Sequence, residues 1–187
     1  MATMHVDEIK ALAQHAHSDA AVCDALFEAL WGDNRDDAVH SAWALTHLPK
    51  SDNDVIAARR EALVAMATTT DDTSLRRLTL ALLERLEWEV PTDDEEGNST
   101  NPESQAHTGV CPYVQLLNFS LEHLMMPEEP YGVRALCMKL AYTLSLPYPE
   151  LLAELRQSLL LIEPSELGSG VRHTRNKILE KLQGYRL

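Results

Sequence analysis

Glycine is scarce in this sequence, 7 of 187 residues, and aromatic residues make up only 5% of it. Strands are built from β-branched and aromatic side chains, whereas Leu and Ala fill every apolar run here, so a sheet-rich fold is excluded. The cysteines are three, Cys23, Cys111 and Cys137, an odd number at wide spacing. That excludes a disulfide framework and predicts reduced thiols in apolar surroundings. No apolar run approaches the roughly 20 residues that cross a bilayer, and the tightest cluster, SLLLI at 158–162, reads as one buried helix face. The opening MATMHVDEIKALAQ meets acidic residues at once and has no basic-then-apolar leader pattern. A cytoplasmic protein with no membrane attachment is the expectation. Also missing are a glycine-rich phosphate loop, a dinucleotide fingerprint, a serine elbow and a metalloprotease helix. These absences predict a non-enzymatic chain that needs no cofactor.

Positive charge is the next shortage. The formal net charge is −13, and it is unevenly spread. Residues 1–127 carry 8 Lys/Arg against 22 Asp/Glu, whereas residues 128–187 carry 8 against 7. The acidic part repels nucleic acid and anionic membranes, and a solvated, soluble face is the simplest reading of its acids.

What is present is helix. Apolar residues recur three and four apart in segment after segment, which predicts about nine helices at 5–17, 19–31, 36–48, 54–68, 73–88, 112–126, 130–146, 149–162 and 169–183. Ser18 or Asp19 is positioned to cap the second. Pro112, Pro130 and Pro149 open later ones, where a missing N–H costs nothing. Three of these helices superpose without a gap: SLRRLTLALLERL (74–86), GVRALCMKLAYTL (132–144) and GVRHTRNKILEKL (170–182). Each begins with an aliphatic residue followed by arginine: Leu75–Arg76, Val133–Arg134 and Val171–Arg172. Seven positions on stand Leu82, Leu140 and Ile178; eleven on, Leu86, Leu144 and Leu182. At 100° per residue these offsets form one stripe, with the arginine on its flank. DAVHSAWALTHL (37–48) is a weaker copy that starts at Ala38, has Leu45 in the seventh place and Val39 in place of the arginine.

The copies start at 38, 75, 133 and 171, a period near 38 broken once by 20 extra residues. The surplus is EVPTDDEEGNSTNPESQAHTG (89–109), acidic, polar and almost free of large apolar residues. It reads as a disordered insertion at about 90–109 inside a single domain covering 1–187, not as a linker between two.

With these aliphatic–arginine pairs and the acids ahead of them, Asp71, Glu129 and Glu166, the sequence resembles the HEAT-like, armadillo-type helical repeats. The resemblance covers about 19–183 and implies a right-handed α-α superhelix of about four helix pairs, capped by the first helix. It also implies a ladder in which an acid in the turn meets the arginine of the second helix, and a surface for partner proteins along the stacked second helices. The missing arginine at Val39 leaves the first rung of that ladder open.

Candidate sites follow. In QHAH (14–17) the histidines are two apart and do not share a helix face, with His5 upstream and Cys23 downstream; metal ligands prefer wider spacing, so no metal site is predicted. GVCPY (109–113) places Cys111 at a helix start with His107 and His123 nearby, and a structural or capping thiol is favoured over a nucleophile. DDEE (93–96) lacks the alternation of a calcium loop. Trp31, Trp43 and Trp88 read as core anchors. On the second helices, Arg134, Lys139, Arg172, Arg175 and Lys177 are the candidate binding residues, and the arginine following each aliphatic residue has an acid as its expected partner. Lys181 and Arg186 extend this basic end. The expected function is an interaction scaffold, monomeric or weakly self-associating, for a protein partner that the sequence does not identify. The alternative is a nucleic-acid-binding helical repeat of DNA-glycosylase type, which the net charge disfavours.

Overall fold

The computed structural model describes residues 4–91, 111–164 and 167–185, and all regular structure among them is helical. Ten α-helices run in the order α1 (Val6–Ser18), α2 (Ala20–Trp31), α3 (Arg35–Thr46), α4 (Asn53–Ala57), α5 (Arg60–Thr69), α6 (Thr73–Glu84), α7 (Pro112–His123), α8 (Tyr131–Ser145), α9 (Pro149–Leu161) and α10 (Ser169–Gln183), with a 3-10 turn at Lys50–Asp52 before α4. The insertion expected at about 90–109 lies, apart from its first two residues, outside the described residues.

Side-chain chemistry sets many of the boundaries. Asp19 caps α2 by accepting from Ala21 N at 2.9 Å, and Asn34 caps α3 from Asp36 N at 3.1 Å. Asp72 caps α6, taking Ser74 N and Leu75 N at 2.8 and 3.0 Å. At α1, Glu8 reaches back to His5 N at 2.6 Å, as in a capping box. Pro112 and Pro149 stand in the first turns of α7 and α9.

The helix expected over 54–68 is interrupted. Arg59 N bonds Ile56 O, three residues back, so the ladder tightens there and α5 restarts at Arg60. The same arginine donates to Val55 O and Asp24, and its guanidinium lies 4.2 Å from the centre of the Phe27 ring. No Pro or Gly marks this break; contacts to α2 accompany it.

The helices form two compact units, Met1–Leu86 and Glu87–Leu187. In the first, α1 packs on α2 and α3, α2 on α3, α3 on α6, and α5 on α6. In the second, α7 packs on α8, α8 on α10, and α9 against both α8 and α10. Helices at corresponding repeat positions are therefore neighbours, α3 with α6 and α8 with α10. The aligned stripe supplies the packing: Ala38, Leu45, Leu75, Leu82 and Leu86 are buried in the first unit, and Val133, Leu140, Leu144, Val171, Ile178 and Leu182 in the second. Each fully buried Leu, Ile or Val contributes about 1.5–3 kcal/mol relative to exposure.

The tryptophans do not anchor this core. Trp31 is 38% exposed, and Trp43 and Trp88 are half-buried. Trp31 stacks on Phe27, and Trp88 meets Tyr113 edge-on. A ring too large for a Leu/Ala interface sits at its rim. Of the cysteines, Cys23 and Cys137 are buried and Cys111 is half-buried at the N-cap of α7.

Candidate interaction face on the second helices

The arginines of the second helices fall into two groups. Arg134 is 4% exposed and donates Nε–H to Leu124 O, the carbonyl at the end of α7. Arg175 is 7% exposed; its Nε donates to Leu159 O in the last turn of α9 and its Nη1 to Asn176 Oδ1. Both are buried structural groups, which corrects their assignment to a binding surface. Their guanidinium groups answer carbonyls that a helix leaves unpaired at its C-terminus, where positive charge also suits the dipole.

Each aligned arginine donates to a main-chain carbonyl. Arg76 donates to Thr70 O just beyond α5, Arg134 to Leu124 O, and Arg172 to Leu167 O ahead of α10. The acceptors are main-chain carbonyls of the connection that precedes each second helix. Of the acids, Glu129 lies 2.6 Å from His123 Nδ1, Asp71 is exposed, and Glu166 is outside the described residues.

Lys139, Arg172 and Lys177 remain on the surface, together with Lys181. Of these, Lys139 lines an open cleft of about 380 Å³ between α8 and α10. From α8 it is lined by Tyr131, Gly132, Ala135 and Lys139. Facing these across the cleft are Gly168, Gly170, Val171 and Thr174. Three of the chain's seven glycines are here, and they keep the walls low. At Gly168 the reason is specific: a Cβ would come within 2.9 Å of the Tyr131 ring, so its absence lets that ring lie against the start of α10. At Gly170 a Cβ would meet nothing within 4 Å, so the backbone there faces open space.

The two helices run side by side in the same direction. Tyr131 and Gly168 meet at their starts, and near their ends the Lys181 ammonium lies 5.0 Å from the centre of the Tyr142 ring. Tyr142 also bonds Tyr185; burial first, then this bond and the Tyr185 charge, push its hydroxyl up to about 12. From Tyr131 to Lys139 the groove follows about 12 Å of α8. α8 contains no acidic residue and α10 only Glu180. Tyr131 stands 54% exposed at one end. Residue-by-residue reasoning located the lysines but not Tyr131, Ala135 or Thr174; the readable signal was the glycine-rich LGSG (167–170) opposite YG (131–132).

The remaining candidates carry less. His17 pairs with Asp52 at 2.9 Å, His15 is exposed, and His107 with the DDEE run lies outside the described residues. Among the described residues no group of three His, Cys, Asp or Glu is arranged to hold a metal ion, and no helix is long and apolar enough to cross a membrane.

No curated protein and no solved structure matches the chain. A family model described as a HEAT repeat domain matches residues 1–94 and 103–182, nearly the whole sequence, in two segments separated by residues 95–102. With aligned stripes buried and second helices packed side by side within each unit, the chain belongs to the HEAT repeat domain family.

Proposed function

We propose that this protein is a non-enzymatic interaction scaffold, cytoplasmic and monomeric or weakly self-associating, that holds a partner protein along its second helices. HEAT repeats serve generally as such scaffolds. The observation that carries the reading is the α8–α10 face: an open groove between parallel second helices, with Tyr131, Lys139 and Thr174 in its walls. Two packed helices that leave their shared outer surface concave offer a partner a shaped surface. We also propose that the chain is one repeat domain interrupted by its acidic insertion.

Site-specific photocrosslinking tests the scaffold reading. A benzoylphenylalanine at Thr174, in the groove, is predicted to give a discrete protein adduct in native lysate, whereas the same probe at exposed Gln157 on α9 gives none. Adducts of equal yield at both positions, or none at Thr174, contradict it. The DNA-glycosylase alternative needs a broad positive surface, and a chain of net charge −13 opposes a long polyanion.

A further inference from the structure

A second cavity, of about 310 Å³, opens in the first unit where α1 lies against α3. Lys10, Ala13 and Gln14 line it from one face of α1, and His47 and Pro49 from the chain leaving α3. Its polar groups have unused bonding capacity. Among the described residues neither the Lys10 ammonium nor the Gln14 amide has a hydrogen-bond or ion-pair partner. His47 is engaged on one side only. Its Nδ1 lies 3.0 Å from Trp43 O, and because a carbonyl only accepts, that nitrogen carries the proton. Nε2 of the neutral ring is then a bare acceptor. The carbonyls at the end of α3, which would repel an anion, are already answered: Leu45 O and Thr46 O by Arg85, Trp43 O by His47 and Thr46. Arg85 also donates to Pro49 O, which sets a second positive charge behind that wall. Of the nearby carboxylates, Asp52 is held by His17 and Ser51, and exposed Asp7 stands one turn before Lys10 on α1.

We infer that this cavity binds a small hydroxy-carboxylate. The carboxylate lies between the Lys10 ammonium and the Gln14 amide N–H, the hydroxyl donates to His47 Nε2, and the hydrocarbon rests against Ala13 and Pro49. The bonding inventory selects each part. Lysine only donates, and its single unpaired charge suits an anion of single charge. An acceptor such as Nε2 needs a donor, which a simple carboxylate lacks and a hydroxyl supplies. A ligand amine would instead bring a second cation beside Lys10. Phosphate is less suited, because phosphate sites gather several N–H groups at a helix N-terminus, and this corner has a helix C-terminus and one ammonium. The volume, equal to roughly ten waters at about 30 Å³ each, admits a small molecule and not a polymer. The cavity belongs to the first unit and the α8–α10 groove to the second, so the inference is independent of the scaffold reading.

The test is NMR titration of the full chain with racemic β-hydroxybutyrate, following the His47 ring protons and the Gln14 side-chain amide. Comparison probes are butyrate, which lacks only the hydroxyl, and inorganic phosphate. Saturable shifts at both residues are expected, with a Kd on the order of 1 mM for so small a ligand. Butyrate should bind about fivefold more weakly, the usual effect of losing one hydrogen bond. Lys10→Met keeps the length of the side chain, removes its charge and should weaken both carboxylates about tenfold. His47→Asn keeps a donor for Trp43 O but has no counterpart of Nε2, so β-hydroxybutyrate and butyrate should then bind equally, read at the Gln14 amide. Lys10 and His47 are exposed, so both variants should fold, which melting curves check. If His47→Asn melts early, Gln14→Ala takes its place and should weaken both carboxylates about fivefold, read at the His47 ring. No saturable shift at Gln14 and His47, shifts centred on other residues, equal affinity of the parent for butyrate, or tighter binding of phosphate overturns the inference. So does a β-hydroxybutyrate affinity that Lys10→Met leaves unchanged.

Discussion

Asp72 illustrates how single residues hold the helical pairs in place. It caps α6 through two backbone N–H groups and takes Arg35 Nε at 2.5 Å from the start of α3. Burial would raise its carboxyl, but the bonds from Leu75, Arg35 and Ser74, with the Arg35 charge, outweigh this and hold it below the usual carboxylate range. A depressed folded-state value means stability that is present above the unfolded value near 4 and is lost as pH falls through the folded one. Asp72→Ala is therefore predicted to cost about 1–2 kcal/mol at pH 7 by denaturant unfolding, and to lose less stability than the parent between about pH 5 and pH 2. At alkaline pH the relevant residue is Tyr113, whose hydroxyl donates to Leu144 O and is pushed up to about 12, chiefly by burial and then by the Tyr148 and Cys111 charges. A raised value gives stability that is full below about 10 and lost as pH rises through the folded value. Tyr113→Phe should cost about 1 kcal/mol at neutral pH and reduce the fall in melting temperature above pH 10. At this scale the sequence revealed identities but not partners. Arg134 and Lys139 both read as surface cations, and only the position of the α7 C-terminus tells that one is buried against a carbonyl.

Helix ends are the elements these contacts organise. Arg85, following α6, donates to Leu45 O, Thr46 O and Pro49 O around the end of α3 and to Asn53 Oδ1, while Asn53 Nδ2 donates back to Arg85 O. Burial lowers its guanidinium from the ordinary arginine value, with Asp52 opposing, yet the charge is retained because the group remains strongly basic. One planar fork thus joins the end of α3 to the segment that starts α4. Arg85→Ala is predicted to destabilise by about 2–4 kcal/mol, and Arg85→Lys to recover less than half of that, because an ammonium cannot address four acceptors in two directions. Equal stability of the lysine variant and the parent would refute the fork argument. Most elements were legible from periodicity, because Leu75, Leu82 and Leu86 and their counterparts at 133 and 171 are buried as the 38-residue period requires. The division between α4 and α5 was not, because AARRE carries no breaking residue and the interruption coincides with Arg59 meeting Asp24 and Phe27 on another helix. The groove was half legible: acid-free α8 and glycine-rich 167–170 were in plain sight, but that they face each other follows from α8 packing on α10.

For the whole molecule, the family match breaks after residue 94 and resumes at residue 103. The proposal of one repeat domain has a direct thermodynamic consequence. Leu82→Ala in the first unit and Leu140→Ala in the second, each a cut in a fully packed core costing about 2–5 kcal/mol, should lower one shared unfolding transition in calorimetry. Two transitions, each moved by only one of the substitutions, would mean two independent domains. The central claim, that the α8–α10 face receives the partner, is tested most directly by comparing the photocrosslinked adduct at Thr174 in the parent with that in Gly170→Leu, whose added side chain fills the groove. Loss of the adduct in the variant is predicted, and an undiminished adduct would contradict it.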